Sequence, residues 1–145
     1  MAVGTGSIDI EKPLRWRDAV SRRSSGKAAE DAAARHLRGC GYRILERNYS
    51  TPLGEIDIIA LDGEIVCFVE VRSHTTADYG SALEALTAQK QRRLRRAAMA
   101  YVKAKRIEEE QARFDFAAVE IREGDAAQVH LIKDAFRPEG AGGGW

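Results

Sequence analysis

The stretch Gly54-Glu55-Ile56-Asp57-Ile58-Ile59-Ala60-Leu61-Asp62-Gly63-Glu64-Ile65-Val66-Cys67-Phe68-Val69-Glu70-Val71-Arg72 decides how this chain is read. Two apolar runs flank Asp62-Gly63, a dipeptide that favours a tight hairpin turn, so residues 55–61 and 64–73 are expected to form antiparallel strands. Both parities of each run are apolar, as in strands covered on two faces. Asp57 and Glu70 stand out against that background. An isolated buried carboxylate costs several kcal/mol or takes up a proton, so each needs a cation or a charged partner. With Asp62-Gly63 as the two-residue loop, Ile59 pairs with Val66 and Asp57 with Phe68. Asp57 and Glu70 are then diagonal neighbours on one face, about 7–8 Å apart. Glu55 and Arg72 continue that face. Two carboxylates at this spacing suit Mg²⁺, which takes one or two of them and completes its shell with water and phosphate oxygens.

Outward from the hairpin, residues 26–37 read as a helix rich in alanine, ended by Gly39 and Gly41. Its inward stripe is Gly26, Glu30, Ala33, Ala34 and Leu37, which brings a third carboxylate to the covered side. Residues 42–49 are a further strand, and Ser50-Thr51-Pro52-Leu53-Gly54 is turn chemistry. Residues 14–20 suit a short basic helix. After a polar loop at 75–80, residues 81–106 read as one long helix with Leu83, Leu86, Leu94, Ala97 and Tyr101 inward and Lys90 interrupting that stripe. Residues 114–121 and 129–132 complete the strands. The order is helix, three strands, helix, two strands. It predicts an α/β fold, a mixed β-sheet flanked by helices. Residues 1–24 are expected to be a flexible or short basic helical extension, 25–136 a single domain, and 137–145 a disordered glycine-rich tail.

The chain has 145 residues, 44% of them apolar, with a net charge of +1, so it has material for a core and is not a globally basic nucleic-acid coat protein. The charge is unevenly spread: residues 82–106 carry 8 basic groups and 1 acidic one. Lys90, Arg92, Arg93 and Arg96 are candidate phosphate contacts on that segment, with Gln89 and Glu55 as secondary site candidates. Cys40 and Cys67 have no metal spacing, and His36, His74 and His130 are scattered. Absence of a leader-like or membrane-length apolar run makes a cytoplasmic, non-membrane protein the expectation. There is no phosphate-loop motif for nucleotides.

Singly, these residues have ordinary readings. Glu30 is a solvated helix residue, Lys90 reaches out to water, Asp57 sits at a strand edge, and Glu70 with Arg72 is one salt-bridged strand end. The cationic helix face is a solvated surface. The conjunction of Glu30, Asp57, Glu70 and a following cation is what exceeds them.

The residues Gly54-Glu55-Ile56-Asp57-Ile58-Ile59-Ala60 and Phe68-Val69-Glu70-Val71-Arg72 resemble the YraN family of bacterial proteins. Gly26, Glu30, Gly41-Tyr42-Arg43-Ile44-Leu45, Asn48, Lys90, Arg93, Leu94 and Arg113-Phe114-Asp115 extend the likeness over roughly residues 26–132. That family is similar to the PD-(D/E)xK nuclease superfamily, which includes restriction endonucleases and Holliday-junction resolvases. The resemblance implies a restriction endonuclease-like three-layer core and metal-dependent hydrolysis of DNA phosphodiester bonds. Branched or junction DNA is the structure-selective case, and a homodimer is an open arrangement. Asp57 and Glu70 would hold Mg²⁺ or Mn²⁺, joined by the Val71 carbonyl in one version, and Glu30 would assist. The motif's lysine falls at position 72, where this chain has Arg, and its Pro falls at position 56, where this chain has Ile. Arginine does not lose its proton in proteins, so Arg72 stabilises charge but is no base. Three outcomes stay open: activity through metal-activated water beside Arg72, partial replacement by Lys90, or a weakened or inactive nuclease fold that serves as a nucleic-acid-binding or scaffold module.

Overall fold

The computed structural model of the chain describes residues 14–74, 79–108, 111–121 and 127–137. In chain order the elements are α1 (Leu14–Gly39), β1 (Arg43–Thr51), β2 (Gly54–Asp62), β3 (Ile65–His74), α2 (Tyr79–Glu84), α3 (Ala88–Lys105), β4 (Ala112–Glu120) and β5 (Gln128–Phe136). The strands form one sheet in the order β1-β2-β3-β4-β5. Among the described residues only β3–β4 is parallel, which the α2–α3 crossover between them allows.

The two-parity apolar pattern of β2 and β3 has the expected consequence: helices cover both faces. On one face Ala29, Ala32, Ala33, Ala34 and Leu37 of α1 pack on Ile58, Ala60, Cys67, Val69, Ala117 and Val119. Small side chains on both sides let α1 lie close to the sheet. On the other face Leu94, Ala97, Ala98, Tyr101 and Val102 of α3 cover Ile56, Ile59, Phe68, Phe114 and Phe116. Ring contacts run from Tyr49 to Tyr101 (5.2 Å), Phe68 (6.0 Å), Phe114 (5.6 Å) and Phe136 (5.2 Å), tying β1, α3, β3, β4 and β5 together. Each such pair is worth about 0.5–1.5 kcal/mol beyond its buried area. The result is an α/β architecture with a mixed sheet between helical layers, compatible with a restriction endonuclease-like three-layer core.

Three expectations need correction. First, α1 is continuous from Leu14 to Gly39, rather than a short helix over 14–20 followed by a second over 26–37. Residues 1–13 and 138–145 lie outside the described residues. Second, the long helix over 81–106 is two helices. Thr87 caps α3, its hydroxyl accepting the Lys90 N–H at 3.2 Å, and this second start competes with continuation through Ala85 and Leu86. Third, the β2–β3 register is two residues further on: Ile59 pairs with Phe68 and Asp62 with Ile65. The loop is Gly63-Glu64, with Gly63 at φ 62°. Asp62 belongs to the strand because Arg113 (2.8 Å) and Lys133 (3.3 Å) hold its carboxylate.

Candidate active site

The alternation of β2 breaks at Asp57. Ile56 packs beneath α3, whereas Ile58, which regular pleating would put on the same face, packs beneath α1. The neighbouring β1 breaks at the same level. Pairs Arg47↔Ile58 and Tyr49↔Ile56 leave Asn48 level with Asp57, and Asn48 has φ 53°. Asparagine is among the few L-residues that tolerate that conformation. Asp57 therefore lies edgewise in the sheet rather than on a face with Glu70. The ladder to β3 runs from Asp62↔Ile65 to Ile58↔Val69, and beyond it the Val71 N–H donates to Asp57 Oδ2 at 2.9 Å. Continuing that register by one residue sets Asp57 directly opposite Glu70, closer than the diagonal expected from sequence.

Glu70 keeps the regular parity of β3 and is buried. Burial first, and the adjoining Asp57 carboxylate second, push its pKa up to about 8, with Arg72 opposing. Arg72 Nε stands 2.9 Å from Glu70 Oε2, yet the N–H does not aim along the contact and makes no hydrogen bond. Glu30 approaches from α1, half-buried. Desolvation and Asp57 raise its pKa, while a hydrogen bond from Asn48 and the charge of Arg47 pull it down. Arg47 Nη2 is 3.9 Å from Glu30 Oε1 and donates to Asp31 Oδ1 at 2.8 Å. Arg47 and Asn48 thus hold the first-helix acid. Arg47 was not among the sequence candidates, and its signal was weak: a cation one residue before an asparagine in a strand.

Glu70 and Arg72 open into a cleft of about 570 Å³ between the β1–β2 turn and α3. Glu55, Lys90 and Arg93 share its lining. Lys90 is exposed at this wall, not an interruption of the inward stripe, because α3 starts afresh at Thr87. Arg92, Arg96 and Gln89 are exposed on α3 and do not line the cleft, so the sequence candidates on this helix divide. Gly54 sets the turn close against α3: a Cβ there would stand 2.7 Å from the Arg93 carbonyl oxygen, so only glycine fits without a shift.

Among the described residues, no three His, Cys, Asp or Glu side chains are grouped to hold an ion as they stand. Asp57 and Glu70 are two adjacent oxygen donors, and burial together with the Asp57 charge presses Glu70 toward its protonated form against the pull of Arg72. That donor set fits Mg²⁺ or Mn²⁺, hard cations that need only one or two carboxylates from the protein.

A second polar cluster sits at the far end of β3. Arg113 Nη2 donates to Tyr42 Oη and Asp62 Oδ2, both at 2.8 Å, and its Nε donates to Asp115 Oδ1 at 2.9 Å. Asp115 is fully buried and also accepts the Asp134 N–H at 2.9 Å. Burial, with Asp115 nearby, pushes the Cys67 thiol up to about 12, so it is inert. This cluster is fully paired and joins β2, β4 and β5 to the segment that follows α1.

Among the described residues, no helix is long and apolar enough to cross a membrane. Comparison with known sequences points one way. The model of the uncharacterised protein family UPF0102 matches residues 29–119. A UPF0102 protein of Syntrophus aciditrophicus is 44% identical over 112 residues, covering 77% of this chain and 87% of that protein. One of Moorella thermoacetica is 44% identical over 118 residues, covering 81% and 98%. One of Geobacter sulfurreducens is 41% identical over 111 residues, covering 77% and 87%. These matches agree with the resemblance read from the hairpin.

Proposed function

The chain belongs to the uncharacterised protein family UPF0102, and from that premise we propose that it is a metal-dependent endonuclease hydrolysing DNA phosphodiester bonds, with branched DNA as its substrate. One observation carries this reading. Asp57 and Glu70 are neighbours at the end of the β2–β3 ladder, and Glu70, with Arg72, lines an open cleft whose other wall carries Lys90 and Arg93.

Asp57 and Glu70 are the residues that would hold Mg²⁺ or Mn²⁺. The bound ion supplies Lewis acidity to the phosphate and to an attacking water. The Val71 N–H fixes the orientation of Asp57, so the donor is preorganised. Arg72, always charged and 2.9 Å from Glu70, would stabilise the negative charge growing on the phosphate. Glu30, held by Arg47 and Asn48 beside Asp57, would be the group to assist by taking a proton from the attacking water. Lys90 and Arg93 hold flanking phosphates, which makes binding salt-sensitive and independent of base sequence. Arg92 and Arg96 extend this basic surface along α3.

The test is a cleavage assay on junction, flap and linear DNA with Mg²⁺ and Mn²⁺. Cutting that needs metal and is abolished by Asp57→Ala or Glu70→Ala supports the proposal. Salt-sensitive binding without turnover in either metal would leave a nuclease-fold binding module.

A further inference from the structure

The turn between β1 and β2 leaves one large aliphatic side chain in water. Among the described residues, Leu53, 55% exposed, is the large hydrophobic so placed. An exposed leucine is ordinary by itself; its mounting is not. Thr51 Oγ1 accepts the N–H of Leu53 at 3.0 Å and of Gly54 at 3.2 Å, and the hydroxyl donates to the Gly54 carbonyl at 3.1 Å. Pro52 fixes its own φ. Gly54 is seated against the Arg93 main chain. The tip is thus held at both ends, and little conformational freedom remains to be lost when Leu53 meets a partner. Leu53 also lines the same cleft as Glu70, Arg72, Lys90 and Arg93. An apolar tip rimmed by cations, beside two carboxylates, combines phosphate attraction with a surface that prefers base faces to water.

We propose that Leu53 is a wedge that enters the base stack of DNA at a branch point and so selects branched over continuous duplex. This rests on the reading of the cleft as a phosphodiesterase site and names what directs its substrate choice. Lys90 and Arg93 hold phosphates without regard to sequence, and Leu53 takes the place of a stacked neighbour. Unstacking is easiest where the stack is already interrupted, as at a fork, flap or junction. Selectivity for shape then needs no contact to base edges.

The experiment uses forked DNA carrying 2-aminopurine at the branch and a linear duplex of equal length, with Ca²⁺ present so that cleavage plays no part. Wild type is expected to raise the branch fluorescence severalfold and to bind the fork about tenfold more tightly than the duplex. Leu53→Ala is expected to lose the fluorescence rise and bring the affinity ratio close to one, with an unchanged melting curve because the side chain is exposed. Leu53→Met, still apolar and long, is expected to keep both signals. The proposal is overturned if wild type shows no fork preference, if it binds the fork without unstacking, or if Leu53→Ala behaves as wild type. Cleavage is not read here. An intact wedge signal with no cutting in Mg²⁺ or Mn²⁺ therefore contradicts the hydrolase reading alone.

Discussion

Asp57 accepts the main-chain N–H of Val71 at 2.9 Å, a carboxylate doing at the end of the β2–β3 ladder what a strand carbonyl would otherwise do. The bond fixes the acid next to Glu70 and ties the peptide that follows Glu70 to the site. It also satisfies a donor that would otherwise go unpaired.

Asp57→Asn and Asp57→Ala therefore separate chemistry from architecture. Asparagine still offers Val71 an acceptor, so its stability is expected to stay within about 1 kcal/mol of wild type. Alanine is expected to cost about 1–3 kcal/mol by leaving that N–H unsatisfied. Both are expected to lower metal-dependent cleavage by about a thousandfold or more, since each removes a charged ligand. Urea melts alongside initial rates read both effects.

Glu70 makes the metal-free protein pH-sensitive. Its folded pKa, about 8, lies above the ordinary 4.5 because of burial and Asp57. Between those values the folded state binds more protons than the unfolded chain, so stability is greatest below the window, falls as pH rises through it, and levels off above. The slope is at most about 1.4 kcal/mol per pH unit. Denaturation in EDTA across the window is expected to show this decline, Glu70→Gln is expected to flatten it, and Mn²⁺ is expected to offset it at the alkaline end.

Arg72 acts through charge, not proton transfer. Arg72→Lys is expected to keep cleavage within about tenfold, and Arg72→Ala to lose about a hundredfold or more. A large gain of cleavage on Arg72→Lys would instead mark a site weakened by the arginine. Single-turnover rates at saturating metal distinguish these cases.

Arg113 tests the division between site and scaffold. Arg113→Ala leaves Asp115 buried without its cation and is expected to cost about 3–5 kcal/mol. At a temperature where the variant stays folded, cleavage per folded molecule is expected to be close to wild type, because the cluster lies away from the cleft. Thermal melts and rates on the same preparations measure both.

The layered fold was legible because β2 and β3 are apolar on both parities, a pattern that leaves no wet face. Glu30, Asp57, Glu70 and Arg72 stood out for the same reason, as polar residues in apolar places, and the fold sets Glu70 beside Asp57 and Arg72 and Glu30 beside Asp57. The register was misread by two residues because Asp62-Gly63 is a strong local turn signal, while the bonds from Arg113 and Lys133 that keep Asp62 in the strand come from residues distant in sequence. The edgewise placement of Asp57 was hidden too. It needs the break in alternation at Asn48 and Ile56–Ile58, and strict period-two reasoning assumes no such break. The restart of the helix at Thr87 moved Lys90 to the cleft wall and left Arg92, Arg96 and Gln89 outside it, a division that charge counting along one helix does not show.

The most direct test of the two-carboxylate ion site is calorimetric titration of Mn²⁺ into wild type, Asp57→Asn and Glu70→Gln, without DNA. Binding of one ion by wild type, weakened by about 10–100-fold or more in each variant, is the expected result. Equal Mn²⁺ affinity in all three proteins would contradict it, since the ion would then be held elsewhere and the paired acids would have no role in metal chemistry.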